Sequence, residues 1–192
     1  MKNPWIGFVV FLSMLLSGPV IAYYIAKMWF VAAWYVALFL LSLYLAALNG
    51  EKIPSLFTIN RKWVLKSFLF LLLMYGLLMI VNTIFPAPSV VNQFSQLDIV
   101  TILIITLIGP VAEEMAFRGY IQGMLRKKFN ANFTIVLTAL IFCLFHSLSV
   151  FPQIFVTAII LSFVKELSGS LLPSIVIHCL NNTVALVASV FV

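Results

Sequence analysis

The chain has 192 residues, 64% of them hydrophobic and only 8% charged, with a mean hydropathy of +1.19. Soluble domains average ~25% charged residues, so a water-soluble fold, a disordered chain and a disulfide scaffold are excluded and a polytopic membrane protein remains. Eleven Lys and Arg stand against five acids, a +6 balance that would point to nucleic acid in a soluble protein; here most basic residues sit in loops, where membrane topology accounts for them and no nucleic-acid partner is expected.

The apolar runs are continuous and do not alternate in ten-residue strips, which argues against a barrel and for an all-α bundle. At ~20 residues per crossing plus short loops, the length fits about seven spans. In chain order they are Trp5–Tyr24, Trp29–Leu48, Val64–Phe85, Asp98–Leu125, Phe133–Ser147, Pro152–Lys165 and Leu171–Val192. Lys2 precedes the first run as in a signal peptide, but an A-x-A-like cleavage site is missing, so a retained helix is expected. The loop Asn49–Lys66 carries Gly50 and Pro54 and has room for a short interfacial helix, and Pro86-Ala87-Pro88 ends the third span. In the fourth span Gly109-Pro110 predicts a kink, because the proline deprives the Thr106 carbonyl of its helical donor. Such a carbonyl is tolerated in a membrane where protein or water satisfies it.

Orientation follows from the loops. With Asn49–Lys66 on the cytoplasmic side, Lys2, the 52–66 basic cluster, Arg126–Lys128 and Lys165 all lie inside, and Lys27 alone among the loop basics lies outside. The chain is thus expected in the cell membrane with its N-terminus cytoplasmic and its C-terminus extracytoplasmic. A three-span N-terminal region, 1–96, precedes a core at 97–192. Cys143 and Cys179 both lie in apolar runs and give no reason to expect a disulfide.

Charge inside the spans carries the chemistry. Glu113 and Glu114 are adjacent in the fourth span, and Arg118 follows one turn later. An ionisable residue at a span centre costs ~2.5–3.5 kcal/mol on insertion scales, so this group needs partners or a wet cavity. Glu114 and Arg118 are i,i+4 with the acid first, the favourable order for a helical ion pair. Glu113 lies ~100° further round the helix and is left over. Both histidines also fall in spans: His146 near the end of the fifth, and His178 in the seventh with Asn182 one turn later on the same face. A polar cavity built by the fourth, fifth and seventh spans is therefore expected. A carboxylate beside a neutral imidazole can hold a water and take its proton, and a second histidine with a carboxamide offers donors to an oxyanion. Base, water and oxyanion donors are the minimal set for amide hydrolysis without a covalent intermediate. A zinc ion on Glu113, His146 and His178 would meet a three-ligand catalytic pattern, but HExxH is missing, and the expectation is a reaction with no cofactor.

Three motifs now stand in order on separate spans. Glu113-Glu114-Met115-Ala116-Phe117-Arg118 fits EExxxR, Phe142-Cys143-Leu144-Phe145-His146 fits FxxxH, and His178-Cys179-Leu180-Asn181-Asn182 fits HxxxN. The stretch Thr101–Ser189 resembles the CPBP family of intramembrane proteases, which includes type II CAAX prenyl endopeptidases and bacterial bacteriocin-processing and self-immunity proteins. The resemblance implies a glutamate-dependent endopeptidase. In it Glu113 activates water with His146, His178 and Asn182 stabilise the oxyanion, and Glu114 with Arg118 orders the site, in a cavity open to the cytoplasmic side. The chain is shorter than the prenyl endopeptidases and fits seven spans where those have eight. Its expected partners are therefore the lipid bilayer and a peptide or membrane-protein substrate, in bacteriocin or pheromone processing or self-immunity, more than a prenylated CAAX protein. The alternatives are a catalytically silent membrane protein that confers immunity or regulation by binding a partner, and a small transporter that uses the same groups as a proton or ion relay.

Overall fold

A computed structural model describes residues 4–25, 27–88 and 98–191 of the chain. Its elements are α1 (Pro4–Ile25), α2 (Met28–Leu48), the short α3 (Ile53–Leu56), α4 (Arg61–Ile84), α5 (Ile99–Arg126), α6 (Ala131–Cys143), α7 (Phe151–Ser168) and α8 (Leu172–Phe191). Each expected span contains a helix among the described residues, and no strand occurs among them. Five stretches are long and apolar enough to cross a membrane among those residues: Met28–Leu48, Arg61–Ile84, Ile99–Arg126, Leu148–Ser168 and Leu172–Ser189. The apolar stretches Gly7–Gly18 and Ala131–Cys143 are shorter.

Side-chain oxygens set several helix starts. Asn60, Asp98 and Asn130 accept the backbone N–H of Lys62, Thr101 and Phe133 at 3.1, 2.7 and 2.9 Å, which satisfies donors that have no partner inside their helices. Hydropathy sorts the helices by depth. α4 turns Leu69, Leu72 and Met79 outward, as lipid rewards, whereas Met115–Ile121 of α5 are all buried. α5 is the axis of the bundle: α2 and α8 pack on its middle and α6 and α7 pack on each other beside it. One apolar core joins Phe11, Leu38, Phe117 and Phe142 across α1, α2, α5 and α6, and a second joins Met74 of α4 to Leu161 and Ile177.

Two departures from the sequence reading bear on the site. The fifth span ends at Cys143, not Ser147, so α6 has 13 residues and a length of ~20 Å. Beyond it the chain tightens into short-range turns, Phe145 N–H to Phe142 O at 3.2 Å and His146 N–H to Cys143 O at 3.0 Å. The reason lies downstream: Ser147 is extended and caps a 3₁₀ turn over Leu148–Val150, and Pro152 starts α7. His146, expected near the end of the fifth span, therefore sits on the connection after α6.

The second departure is in α5, which widens into π-helical turns over Ile104–Ile108 and Met115–Ile121. Such turns open where the i→i−4 ladder is interrupted. Gly109 N–H bonds to Ile104 O, five residues back, so in this register the carbonyl left facing the missing donor of Pro110 is that of Ile105, not Thr106.

The α7–α8 turn rests on Gly169, whose φ of +69° is left-handed, with no atom within 4 Å of where a Cβ would stand. Gly169→Ala should therefore destabilise through the backbone alone, by about 1–2 kcal/mol. Thermal unfolding in detergent should show a lowered Tm with activity retained below it.

Candidate active site

α5 supplies the charged centre. Arg118 is fully buried and donates to Glu114 Oε1 at 2.9 Å, to Ser162 Oγ at 3.3 Å and to the Ala158 carbonyl at 3.2 Å. Its guanidinium lies 4.5 Å from the centre of the Phe142 ring, so the cation meets anion, dipoles and π-face together. Glu114, also fully buried, takes a second bond from His178 Nδ1 at 2.8 Å. The expected i,i+4 pair is thus present, and α8 closes it from the other side. The polar column continues down the same face at four-residue spacing. Gln122 donates to Ser162 O at 3.1 Å and Glu166 at 3.2 Å, and Arg126 pairs with Glu166 at 2.7 Å. The repeat Glu114, Arg118, Gln122, Arg126 is visible in the sequence as an i,i+4 series, though its last two members carry no motif.

Glu113 points elsewhere. Its Oε1 accepts the Tyr35 hydroxyl at 3.1 Å, and its Oε2 faces His178 Nε2 at 3.7 Å, beyond direct hydrogen-bond length. Its side chain is 20% exposed where that of Glu114 is 0%. The exposed part lines a cavity of about 340 Å³ that it shares with His146, Tyr35, Trp34, Phe117 and Phe145. His146 Nδ1 lies 3.0 Å from the Phe142 carbonyl. A carbonyl only accepts, so Nδ1 carries the hydrogen and the neutral ring keeps its lone pair on Nε2. Phe142 acts as a plate between these groups, with its ring 4.4 Å from His146 and 6.1 Å from His178.

Asn182 does something the sequence does not announce. Its Nδ2 donates to the Ile105 carbonyl at 3.0 Å, the one that faces Pro110. The amide thus replaces the backbone donor that the proline removes. Glu113 and His146 share one cavity, Glu114, Arg118 and His178 form a buried network behind it, and Asn182 braces the kink. Cys143 is buried and free, and Cys179 is free as well. Among the described residues no group of three His, Cys, Asp or Glu is placed to hold a metal ion. Tyr35 escaped the sequence reading because a lone tyrosine in an apolar run reads as filler, and only the packing of α2 on α5 brings it to Glu113.

The family model for type II CAAX prenyl endopeptidase Rce1-like proteins matches residues 95–184. That stretch belongs to the Rce1-like family. No curated protein and no solved structure matches the chain. The Rce1-like stretch contains all three motifs and leaves Tyr35 outside. A protease-family match over this stretch, on membrane-length helices, supports a CAAX-type intramembrane protease in general class and a membrane environment.

The Asn182 contact in the Rce1-like stretch has a direct check. Asn182→Ala should leave the Ile105 carbonyl without a donor at a cost of about 1–3 kcal/mol. Pro110→Ala restores a backbone N–H, so the double variant should recover most of that loss in thermal unfolding. Additive losses would show that the amide does not serve this carbonyl.

Proposed function

We propose that the protein is a glutamate-dependent endopeptidase that hydrolyses a peptide bond in a peptide or membrane-protein substrate without a metal ion. The observation that supports it most is the shared cavity, in which one partly exposed carboxylate and one imidazole face the same space. Two acceptors, the Glu113 carboxylate and His146 Nε2, take the two hydrogens of one water and leave its oxygen lone pair free. As that oxygen attacks the scissile carbonyl carbon, Glu113 takes a proton. When the tetrahedral intermediate collapses, the C–N bond breaks and Glu113 returns the proton to the leaving amine. For the oxyanion, Asn182 retains its second N–H. His178 would add an Nε2–H only when doubly protonated, since its Nδ1 is committed to Glu114. Glu114 and Arg118 hold the frame. In this reading residues 97–192 are the catalytic core, and the helices before them close the cavity through Leu15, Val31, Trp34 and Leu38. The substrate belongs to bacteriocin or pheromone processing, or to self-immunity.

The test uses reconstituted protein and a quenched-fluorescence peptide library, with cleavage sites read by mass spectrometry. Glu113→Gln and His146→Ala should each lower cleavage by about 100-fold or more while Tm stays near wild type. Unchanged cleavage in a folded Glu113→Gln protein sinks the glutamate reading. Loss of activity on chelation, reversed by zinc, sinks the metal-free one.

The same reading sets the N-terminus in the cytoplasm and the C-terminus outside, because the basic loops then lie inside. A cysteine introduced at Lys62 should react with an impermeant maleimide in inverted vesicles and not in intact cells. The reverse pattern overturns the orientation.

A further inference from the structure

Tyr35 reaches the cavity from α2, beyond both the motifs and the matched stretch. From its geometry we infer that Tyr35 is a positioning residue for the hydrolysis, fixing the Glu113 carboxylate through its phenolic hydroxyl. The inference rests on the glutamate reading above and adds to it a residue on a separate helix.

The ring is held on two sides. Trp34 meets it edge-on, with centroids 4.9 Å apart at 71°, and the Trp34 indole N–H is itself tied to α1 through the Met14 carbonyl at 3.2 Å and Ser17 Oγ at 3.1 Å. On the other side lies the backbone of Gly109, where an added Cβ would stand 3.3 Å from Tyr35 Cζ. Gly109 and Glu113 are i,i+4 on α5, so they share a face one turn apart. Glycine lets the phenol lie against α5 at one turn, and the hydroxyl then meets the carboxylate at the next.

The bond matters because of what a glutamate does unaided. Rotation of its terminal carboxylate is broad, so neither oxygen of a lone Glu113 has a set direction. With Oε1 held by Tyr35 at 3.1 Å, the carboxylate plane is defined and Oε2 is left to receive the proton from water. Catalysis by a fixed base depends on this: a misplacement of ~1 Å costs about 100-fold. Tyr35 itself exchanges no proton. It donates one hydrogen bond before and after the step, and no covalent bond changes at its ring.

The experiment compares wild type, Tyr35→Phe and a protein carrying 4-aminophenylalanine at position 35, on a peptide cleaved in the library assay. Phenylalanine keeps the ring and its packing and removes the donor; the amino ring restores an N–H donor in its place. Tyr35→Phe should lower kcat about tenfold with KM within about twofold, and the amino ring should recover at least about half of the loss. In a Glu113→Gln background Tyr35→Phe should add nothing, since both changes act through one carboxylate. Full activity in Tyr35→Phe, or equal loss in the phenylalanine and aminophenylalanine proteins, overturns the role of Tyr35. Retained activity in Glu113→Gln alone overturns instead the glutamate reading beneath it, so the two failures are told apart.

Discussion

A carboxylate with no exposed surface, set among apolar helices, has to be met by charge and hydrogen bonds or the helices around it will not close. Glu114 is that carboxylate. Its compensation comes from three directions: Arg118 on its own helix, His178 from α8 and, behind the arginine, Ser162 and the Ala158 carbonyl of α7. The contacts to His178, Ser162 and Ala158 cross between helices, so the network around the ion pair ties α7 and α8 to α5. Such a pair need not add net stability over a well-packed apolar core, because desolvation consumes much of the attraction. Losing one partner is another matter, worth about 3–5 kcal/mol, since it strands a charge. The network thus penalises any arrangement of these helices that leaves one member unmatched.

The neighbouring carboxylate gains its freedom from this. Arg118 gives its three recorded hydrogen bonds to Glu114 and to α7 and none to Glu113. Two adjacent glutamates consequently live in different surroundings, one wholly buried and ion-paired, the other at a cavity wall with a phenol and an imidazole for company. A division of labour between two carboxylates follows from environment alone. The aromatic plate of Phe142 supports both halves, because one face of the site stacks the guanidinium on it and His146 packs beside it.

Much of this was legible in the residue string, and what was not has identifiable physical causes. Helix positions follow from apolar runs, which carry a strong signal over 20 residues, and the Glu114–Arg118 pair follows from helical spacing. Hydropathy puts His146 inside a span because apolar residues continue through Phe145, and it does not register that Ser147 and Pro152 begin a new turn. The bond between Tyr35 and Glu113 joins positions 78 apart in the chain, and no periodicity within α2 encodes it. The roles of His178 and Asn182 were read from one face of one helix. Which carbonyl or carboxylate each meets depends on the register of α5, and the π-helical turns change that register by a residue.

Those turns tie the parts together. A wide turn beside Pro110 leaves the Ile105 carbonyl without a backbone donor, and in a hydrocarbon setting an orphan of this kind is costly. Asn182 supplies the donor from α8. One turn earlier on α8, His178 bonds Glu114, nine residues further along α5. The contacts run in opposite chain order, 182 to 105 and 178 to 114, so α8 lies antiparallel to α5 and grips it at both ends of the proline kink. The same helix that neutralises the buried charge therefore repairs the backbone defect next to it. Straightening α5 would give the Ile105 carbonyl the Gly109 N–H as its donor, but Pro110 would then face the Thr106 carbonyl, so the orphan would move and not vanish.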